Sequence, residues 1–386
     1  MLVLPERERE VKSDCQKLIS AIREIQGFFK RYEELAFIQS SDIAIAKNIK
    51  EKILEIISHS NPAEQWRQVE LKETIDVDYR GMENLRQYGK EPFQLIAGSR
   101  DGSRVAVKRD AKTITIYGSE GEETKYNLTV TGHTKYLVEK MAFSRDGYSL
   151  VTVAVFRDKN GPVNYSQPER KIDLYVLNQP DSHHLSESKD VLGLAYAPRG
   201  GLIRLYSDGR LMQSVDMLTR FKSVVDFKAI EVSRSNNYVL IQQDDKIRVY
   251  DRLKKKETQY YSDAKTFALN PARDELVLSS TDGEIWITNF PDGKNSPRLV
   301  KNGSFSTALA FDPSGQNLFI ASSGIRKRID VYNLSLRKVV ARIDLPTAEP
   351  IRELVVSKDG KIYLSYGEKL KEKISIFSTK KRNGSK

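Results

Sequence analysis

One short segment keeps returning along this chain. Ile114-Thr115-Ile116-Tyr117 has five near-copies: Ile172-Asp173-Leu174-Tyr175, Ile247-Arg248-Val249-Tyr250, Ile285-Trp286-Ile287-Thr288, Ile329-Asp330-Val331-Tyr332 and Ile374-Ser375-Ile376-Phe377. Each alternates around apolar positions and ends on a large or β-branched residue, the pattern of a buried strand. About twelve residues before most copies sits a turn, as in Ala142-Phe143-Ser144-Arg145-Asp146-Gly147. Its variants are Ser99-Arg100-Asp101-Gly102, Ala197-Pro198-Arg199-Gly200, Ser233-Arg234-Ser235-Asn236, Asn270-Pro271-Ala272-Arg273, Asp312-Pro313-Ser314-Gly315 and Ser357-Lys358-Asp359-Gly360, seven occurrences in all. Ser, Asp, Asn and Pro initiate a hairpin turn, and Gly or Asn takes its left-handed position.

The spacing decides the architecture. From Gly102 to Gly147 is 45 residues, from Arg273 to Gly315 is 42, and from Gly315 to Gly360 is 45. That period fits one propeller blade of four strands, for which about 40–45 residues is typical. Seven turns therefore predict a mainly β fold, a seven-bladed β-propeller of four-stranded blades. A β-sandwich with extra domains is the competing architecture, but sandwiches carry no seven-fold turn repeat. Blade 3 is abbreviated, with Leu202–Tyr206 turning through Ser207-Asp208-Gly209 into Arg210-Leu211-Met212. Blade 2 carries a long loop at about Phe156–Arg170. The last blade lacks a fourth strand after Lys373–Ser378, whereas residues 68–77 alternate like an edge strand ahead of blade 1. That N-terminal strand is expected to complete the last blade, closing the ring and covering an open edge.

The Ser-x-Asp-Gly turns, the aromatic-ended third strands and a single Gly132-His133 pair resemble WD-repeat β-propellers from roughly Val69 onward. No Trp-Asp dipeptide is present; Tyr250-Asp251 and Tyr332-Asn333 stand in its place. The resemblance is to a divergent WD-like or YVTN-like propeller. It implies a binding scaffold, and for bacterial relatives a sensor or regulatory module of a signalling or defence system.

Ahead of the propeller the periodicity changes. Cys15, Leu18, Ile22, Ile25, Phe29, Tyr32 and Ala36 follow heptad spacing, one apolar seam along a helix. Ile45, Ile49, Ile53 and Ile56 line a second helix, which Asn61-Pro62 ends. Residues 6–58 thus read as a helical hairpin. The domain division is 1–62, a helical, coiled-coil-like extension, and 63–386, the propeller. Leu18, Ile22, Ile25, Phe29 and Tyr32 are candidates for docking a second subunit. Packing on the propeller or dimerisation are the other uses of such a seam.

Charged residues make up 30% of the chain and its mean hydropathy is −0.50. Apolar runs fall far short of the roughly 20 residues needed to cross a bilayer, so no membrane insertion is expected. Met1–Glu8 is too short and acidic for a secretory signal. Cys15 is the single cysteine, which points to a reducing, cytoplasmic location.

Chemistry-bearing motifs are absent. The four histidines form no ligand pattern, and no HExxH, paired cysteines, Gly-Lys-Ser loop or Gly-x-Ser-x-Gly elbow occurs. Glu139, Asp226 and Glu353 fall near the starts of channel-lining first strands, close to background for seven strands. No catalytic residue, metal or cofactor is expected, and the chain reads as no enzyme.

The formal net charge is +11, and residues 1–60 hold ten basic and ten acidic residues, so the excess lies in the propeller. Second-to-third-strand loops share one face, and in blades 6, 7, 1 and 2 they and their flanks carry Arg326, Lys327, Arg328, Lys369, Lys371, Lys373, Lys108, Arg109, Lys112, Arg157, Arg170 and Lys171. This candidate basic face suits an acidic protein surface or nucleic-acid phosphates. The leading functional expectation is a non-catalytic protein-interaction scaffold or adaptor subunit of a multiprotein complex. Tyr136, Tyr165, Trp286 and Tyr366 are candidate anchors. A nucleic-acid-associated subunit is the alternative.

Overall fold

The computed structural model describes Trp66 and residues 69–78, 94–110, 113–118, 123–127, 133–144, 147–158, 169–177, 183–187, 191–198, 201–213, 216–221, 227–289, 298–301, 306–322, 327–345, 347, 349–368 and 371–379. The chain divides into two units, Met1–Trp66 and Arg67–Lys386. Every described strand lies in the second. The expected hairpin over residues 6–58, with Leu18, Ile22, Ile25, Phe29 and Tyr32, lies outside the described residues. Among the described residues no helix is long and apolar enough to cross a membrane.

Seven four-stranded antiparallel sheets follow one another through the second unit. Six are meanders of four consecutive strands. The seventh takes Val69–Asp76 as its outermost strand, against Lys373–Thr379, then Lys361–Tyr366 and Ile351–Val356 inside. Val69 pairs with Thr379 and Asp76 with Lys373, with a bulge between Leu71 and Glu73. The seven-bladed ring and its closure by an N-terminal strand are as the repeat requires. The abbreviated blade 3 still has four strands, Val191–Tyr196, Leu202–Tyr206, Arg210–Gln213 and Asp216–Arg220.

The alternating segments form these strands because each blade is covered on both faces by its neighbours. Middle strands therefore bury nearly every residue, as in Asn317–Ser322 and Tyr238–Gln243. The core is divided among the blade interfaces. At the closure, Ile75, Leu95, Val105, Val107, Tyr363, Ile374 and Ile376 pack in one cluster. Each such side chain stabilises the fold by about 1.5–3 kcal/mol relative to exposure. The rings of Tyr117 and Tyr363 meet there at 5.6 Å.

The hairpin turns follow one template. In blade 1 Ser99 N donates to Arg104 O at 2.8 Å and Gly102 N donates to Ser99 O at 3.0 Å. Gly102, Gly147, Asn236, Gly315 and Gly360 all take positive φ there, as the left-handed turn position requires.

The innermost strands are Ile96–Gly98, His133–Phe143, Val191–Tyr196, Phe227–Val232, Ala264–Leu269, Ser306–Phe311 and Ile351–Val356. Six of them share a feature invisible to motif reading. Their ladders slip by one residue at the same place, skipping Glu139, Leu192, Lys228, Lys265, Thr307 and Arg352. Bulges of this kind bend a strand and re-aim one side chain.

Candidate interaction surfaces

Strand order gives the ring two faces. Loops between second and third strands, and those joining successive blades, lie on one, the loop face. Turns between first and second and between third and fourth strands lie on the other, the turn face.

On the loop face several expected cations are committed internally. Lys108 is a correction to the basic face: it is fully buried, and its Nζ donates to Val138 O of blade 2 at 3.0 Å. A lysine there satisfies a neighbour's carbonyl and presents no charge to a partner. Arg109 reaches Glu73 at 3.2 Å, Tyr117 Oη at 2.5 Å and Glu123 at 3.2 Å. It thus ties the closing strand to blade 1. Arg328 pairs through Nε and Nη2 with the buried Asp330, at 2.9 and 3.0 Å. Lys373 lies 3.7 Å from Asp76. Lys327 and Lys371 are exposed. Arg157, Arg170 and Lys171 lie on the blade 2 strands Ser149–Asp158 and Glu169–Val176. Lys112, Arg326 and Lys369 lie outside the described residues.

On the turn face several aspartates are committed to the turns themselves, while Asp216 and Glu257 remain exposed. Asp101 accepts from Ser99 Oγ and from Ser103 N and Oγ. Burial pushes its carboxyl up, but those hydrogen bonds outweigh it and hold the group below the usual range. Asp312 accepts from Gln316 N, Asn317 N and Asn317 Nδ2. Asp274 accepts from Ser235 N at 2.9 Å, across blades. Asp251 is buried and accepts from Leu253 N and Lys254 N, both at 2.9 Å. The turns are also braced against one another. Arg100 of blade 1 donates to Val232 O of blade 4 at 3.1 Å, across the ring, and Lys358 N donates to Gly102 O at 2.8 Å. A Cβ on Gly102 would sit 2.1 Å from Pro313 Cγ.

Exposed apolar side chains favour the turn face too. Leu253 (75%), Met217 (60%), Tyr148 (53%) and Leu336 (37%) sit at its turns or strand ends in blades 4, 3, 2 and 6. Of the anchors expected from sequence, Trp286 is partly exposed on a third strand of blade 5, while Tyr366 is buried with its hydroxyl 3.0 Å from Ser375 Oγ. Tyr366 therefore serves the core. Tyr136 lies on the strand His133–Phe143, and Tyr165 lies outside the described residues.

Between the faces runs a central channel of about 740 Å³, lined by all seven innermost strands. Two residues before each hairpin turn stand Ala97, Ala142, Ala195, Glu231, Ala268, Ala310 and Val355, one layer of small residues broken by a carboxylate. Burial pushes Glu231 up to about 7, against the pull of Arg100. Lining up the repeats at their turns exposes this residue, which motif searching misses. Glu353 lies deeper, where it accepts from Leu95 N at 2.9 Å, Ile96 N at 3.1 Å and Ser365 Oγ at 3.0 Å. Burial raises it to about 7 as well, opposed by those bonds and by Lys140. Lys140 in turn donates to Lys228 O at 3.2 Å. Glu353 thus joins blades 7 and 1. Glu139 is half-buried and its carbonyl receives Gln94 N; Asp226 lies outside the described residues. Among the described residues no group of three or more His, Cys, Asp or Glu converges to hold a metal ion.

No protein-family model matches the chain. No curated protein sequence matches it either. Among solved structures it is similar to the β-propeller domain of Myceliophteria thermophila Cps50 (Swd1), with a TM-score of 0.50 and 13% identity, covering 81% of this chain and 100% of that one. It is also similar to a chain of the mitotic checkpoint complex, with a TM-score of 0.55 and 14% identity, covering 81% of this chain and 95% of that one. Identities this low speak to architecture, and the architecture is a WD-repeat-like seven-bladed propeller.

Proposed function

We propose that this protein is a non-catalytic interaction scaffold, an adaptor subunit whose propeller holds a protein partner on a preformed surface. The observation that carries this reading is the turn face: exposed apolar side chains held on hydrogen-bonded, cross-braced turns. A surface ordered before binding loses little conformational entropy on association. The mitotic checkpoint complex chain, a structural neighbour, belongs to an assembly by its name, which fits the same use. Residues 6–58 supply the second contact, docking another subunit through Leu18, Ile22, Ile25, Phe29 and Tyr32. The test is size-exclusion of the native, full-length protein with mass spectrometry of what co-elutes. A stoichiometric protein partner is expected, reduced by Leu18→Asp with Ile22→Asp if the hairpin docks. A chain that elutes alone from its native source contradicts the reading.

A second reading, a nucleic-acid-associated subunit, draws on the exposed Lys327 and Lys371 of the loop face. Phosphate contacts of this kind carry steep salt dependence. Heparin retention that Lys327→Glu with Lys371→Glu abolishes would favour it; retention indifferent to both would remove it.

A further inference from the structure

We infer that the docking surface is the turn face, centred on the third-to-fourth-strand turn of blade 4, and that it takes an acidic protein segment carrying apolar side chains. This rests on the scaffold reading and specifies its face and its partner's chemistry.

The blade 4 turn runs Asp251-Arg252-Leu253-Lys254-Lys255-Lys256. Buried Asp251 caps it from within, and Arg252 Nη1 donates to Asn236 O at 2.6 Å. Arg252 Nη2 also donates to Gln213 of blade 3, which faces Asp216 in the hairpin leading to Met217. The turn is therefore fixed to its neighbour, and Leu253 and Met217 stand on adjoining blades. Leu253 is the most exposed large apolar side chain described. Nothing in the turn's own hydrogen bonding needs it to be leucine.

The backbone adds an independent sign. Lys255 sits at φ 51°. The corresponding turn of blade 6, Asn333-Leu334-Ser335-Leu336-Arg337-Lys338, is capped the same way, Asn333 Oδ1 accepting from Leu336 N at 2.9 Å, and Arg337 sits at φ 50°. A left-handed residue with a side chain costs about 1–2 kcal/mol, and Gly would relieve it. Two turns of the same face thus hold a left-handed base one or two residues after an exposed leucine. Bases kept there at a conformational cost are candidates for use by a partner.

Charge selects the occupant. Several of the face's acids are committed to its turns: Asp251, Asp274 and Asp312 accept from backbone amides and Asp101 from its own turn, while Asp216, Glu257 and Asp359 stay exposed and are outnumbered by the bases. Lys254, Lys255, Lys256, Arg337, Lys338 and Lys358 are exposed on it or at its margin. Cations around leucine and methionine complement an acidic, partly apolar polypeptide. Nucleic-acid phosphates would use the cations and leave the leucines unused. The chain's own first 60 residues, with ten bases against ten acids, lack the complementary charge.

The experiment is fluorescence anisotropy of the full-length protein with two labelled peptides, one alternating Glu and Leu and one of Glu alone, and a single-stranded oligodeoxythymidine. The Glu/Leu peptide should bind tightest, and Leu253→Ser and Lys255→Glu should each weaken it about tenfold. Lys327→Glu with Lys371→Glu, on the loop face, should leave it unchanged. Lys255→Gly guards against misfolding: it relieves the backbone, so weaker binding by a protein with native circular dichroism reports the lost contact. Equal affinity across all variants, loss confined to the loop-face pair, or tighter binding of the Glu-only peptide or the oligonucleotide would each overturn the inference. If that happens while the native protein still co-elutes with a partner, the scaffold reading stands and only the assignment of face and chemistry falls. A native protein that co-elutes with nothing removes both.

Discussion

The two faces of the ring commit their charges in different ways: on the loop face buried acids such as Asp330 and Glu372 hold arginines, and on the turn face aspartates hold backbone amides. On the loop face Lys108, Arg109 and Arg328 are drawn into the fold by a carbonyl, a tyrosine and carboxylates. On the turn face several aspartates turn inward, each closing a hairpin or bracing a neighbour. Counting charges along a chain treats such residues alike. What a partner meets is the remainder after the backbone's own hydrogen-bonding needs are met.

The contrast can be broken by removing the buried acid on each side. Asp330→Ala should be the more damaging, by about 2–4 kcal/mol, because it leaves the half-buried Arg328 without its counter-charge. Urea unfolding measures it, and a loss below about 1 kcal/mol would mean that Arg328 is free to serve the surface. Asp251→Ala, its turn-face counterpart, removes the acceptor of two backbone amides and should cost about 1–2 kcal/mol. It should also loosen the turn that carries Leu253, detectable as faster amide exchange at Leu253 and Lys254.

Glu231 sharpens the picture from within the channel. Its folded pKa of about 7 lies above the ordinary 4.5. The folded state therefore holds the proton more tightly, its stabilising contribution is complete below the ordinary value, and stability falls as pH rises through that window. Glu231→Gln should flatten part of this slope, leaving that of Glu353. It should gain about 1–3 kcal/mol near pH 8 and nothing near pH 4. Thermal melts at the two pH values test it, and a variant less stable near pH 8 would show that the Arg100 contact outweighs burial. The smallest effect belongs to Lys255→Gly. Relief of the left-handed backbone is offset by glycine's greater unfolded-state entropy, for a net gain of no more than about 1 kcal/mol.

The ring was legible because its signals are local and repeated. A Ser-x-Asp-Gly turn and an Ile-x-apolar-aromatic strand need only short stretches of chain, and their period counts the blades. Even the closing strand follows from an unpaired edge and a spare alternating segment. The surface was less legible. Lys108 is the last residue of the strand Arg104–Lys108, still buried by the neighbouring blade, whereas Arg109 one step on is partly exposed. Tyr366 fails as an anchor because it ends the middle strand Lys361–Tyr366, where neighbouring blades bury both phases. The turn-face aspartates look like solvent-facing charge until their amide partners are known. Leu253 lay in plain view beside three lysines, but its exposure depends on the turn that Asp251 closes. Glu231 needed the repeats aligned by their turns, since alone it is one acid in a strand.

The most direct test places a photo-crosslinking residue at position 253 and, in a separate protein, at position 327, each full-length and expressed in its native setting. The account predicts that irradiation joins position 253 to an acidic segment of another protein, while position 327 gives little. Adducts confined to position 327, or adducts from 253 into the chain's own first 66 residues, would contradict it.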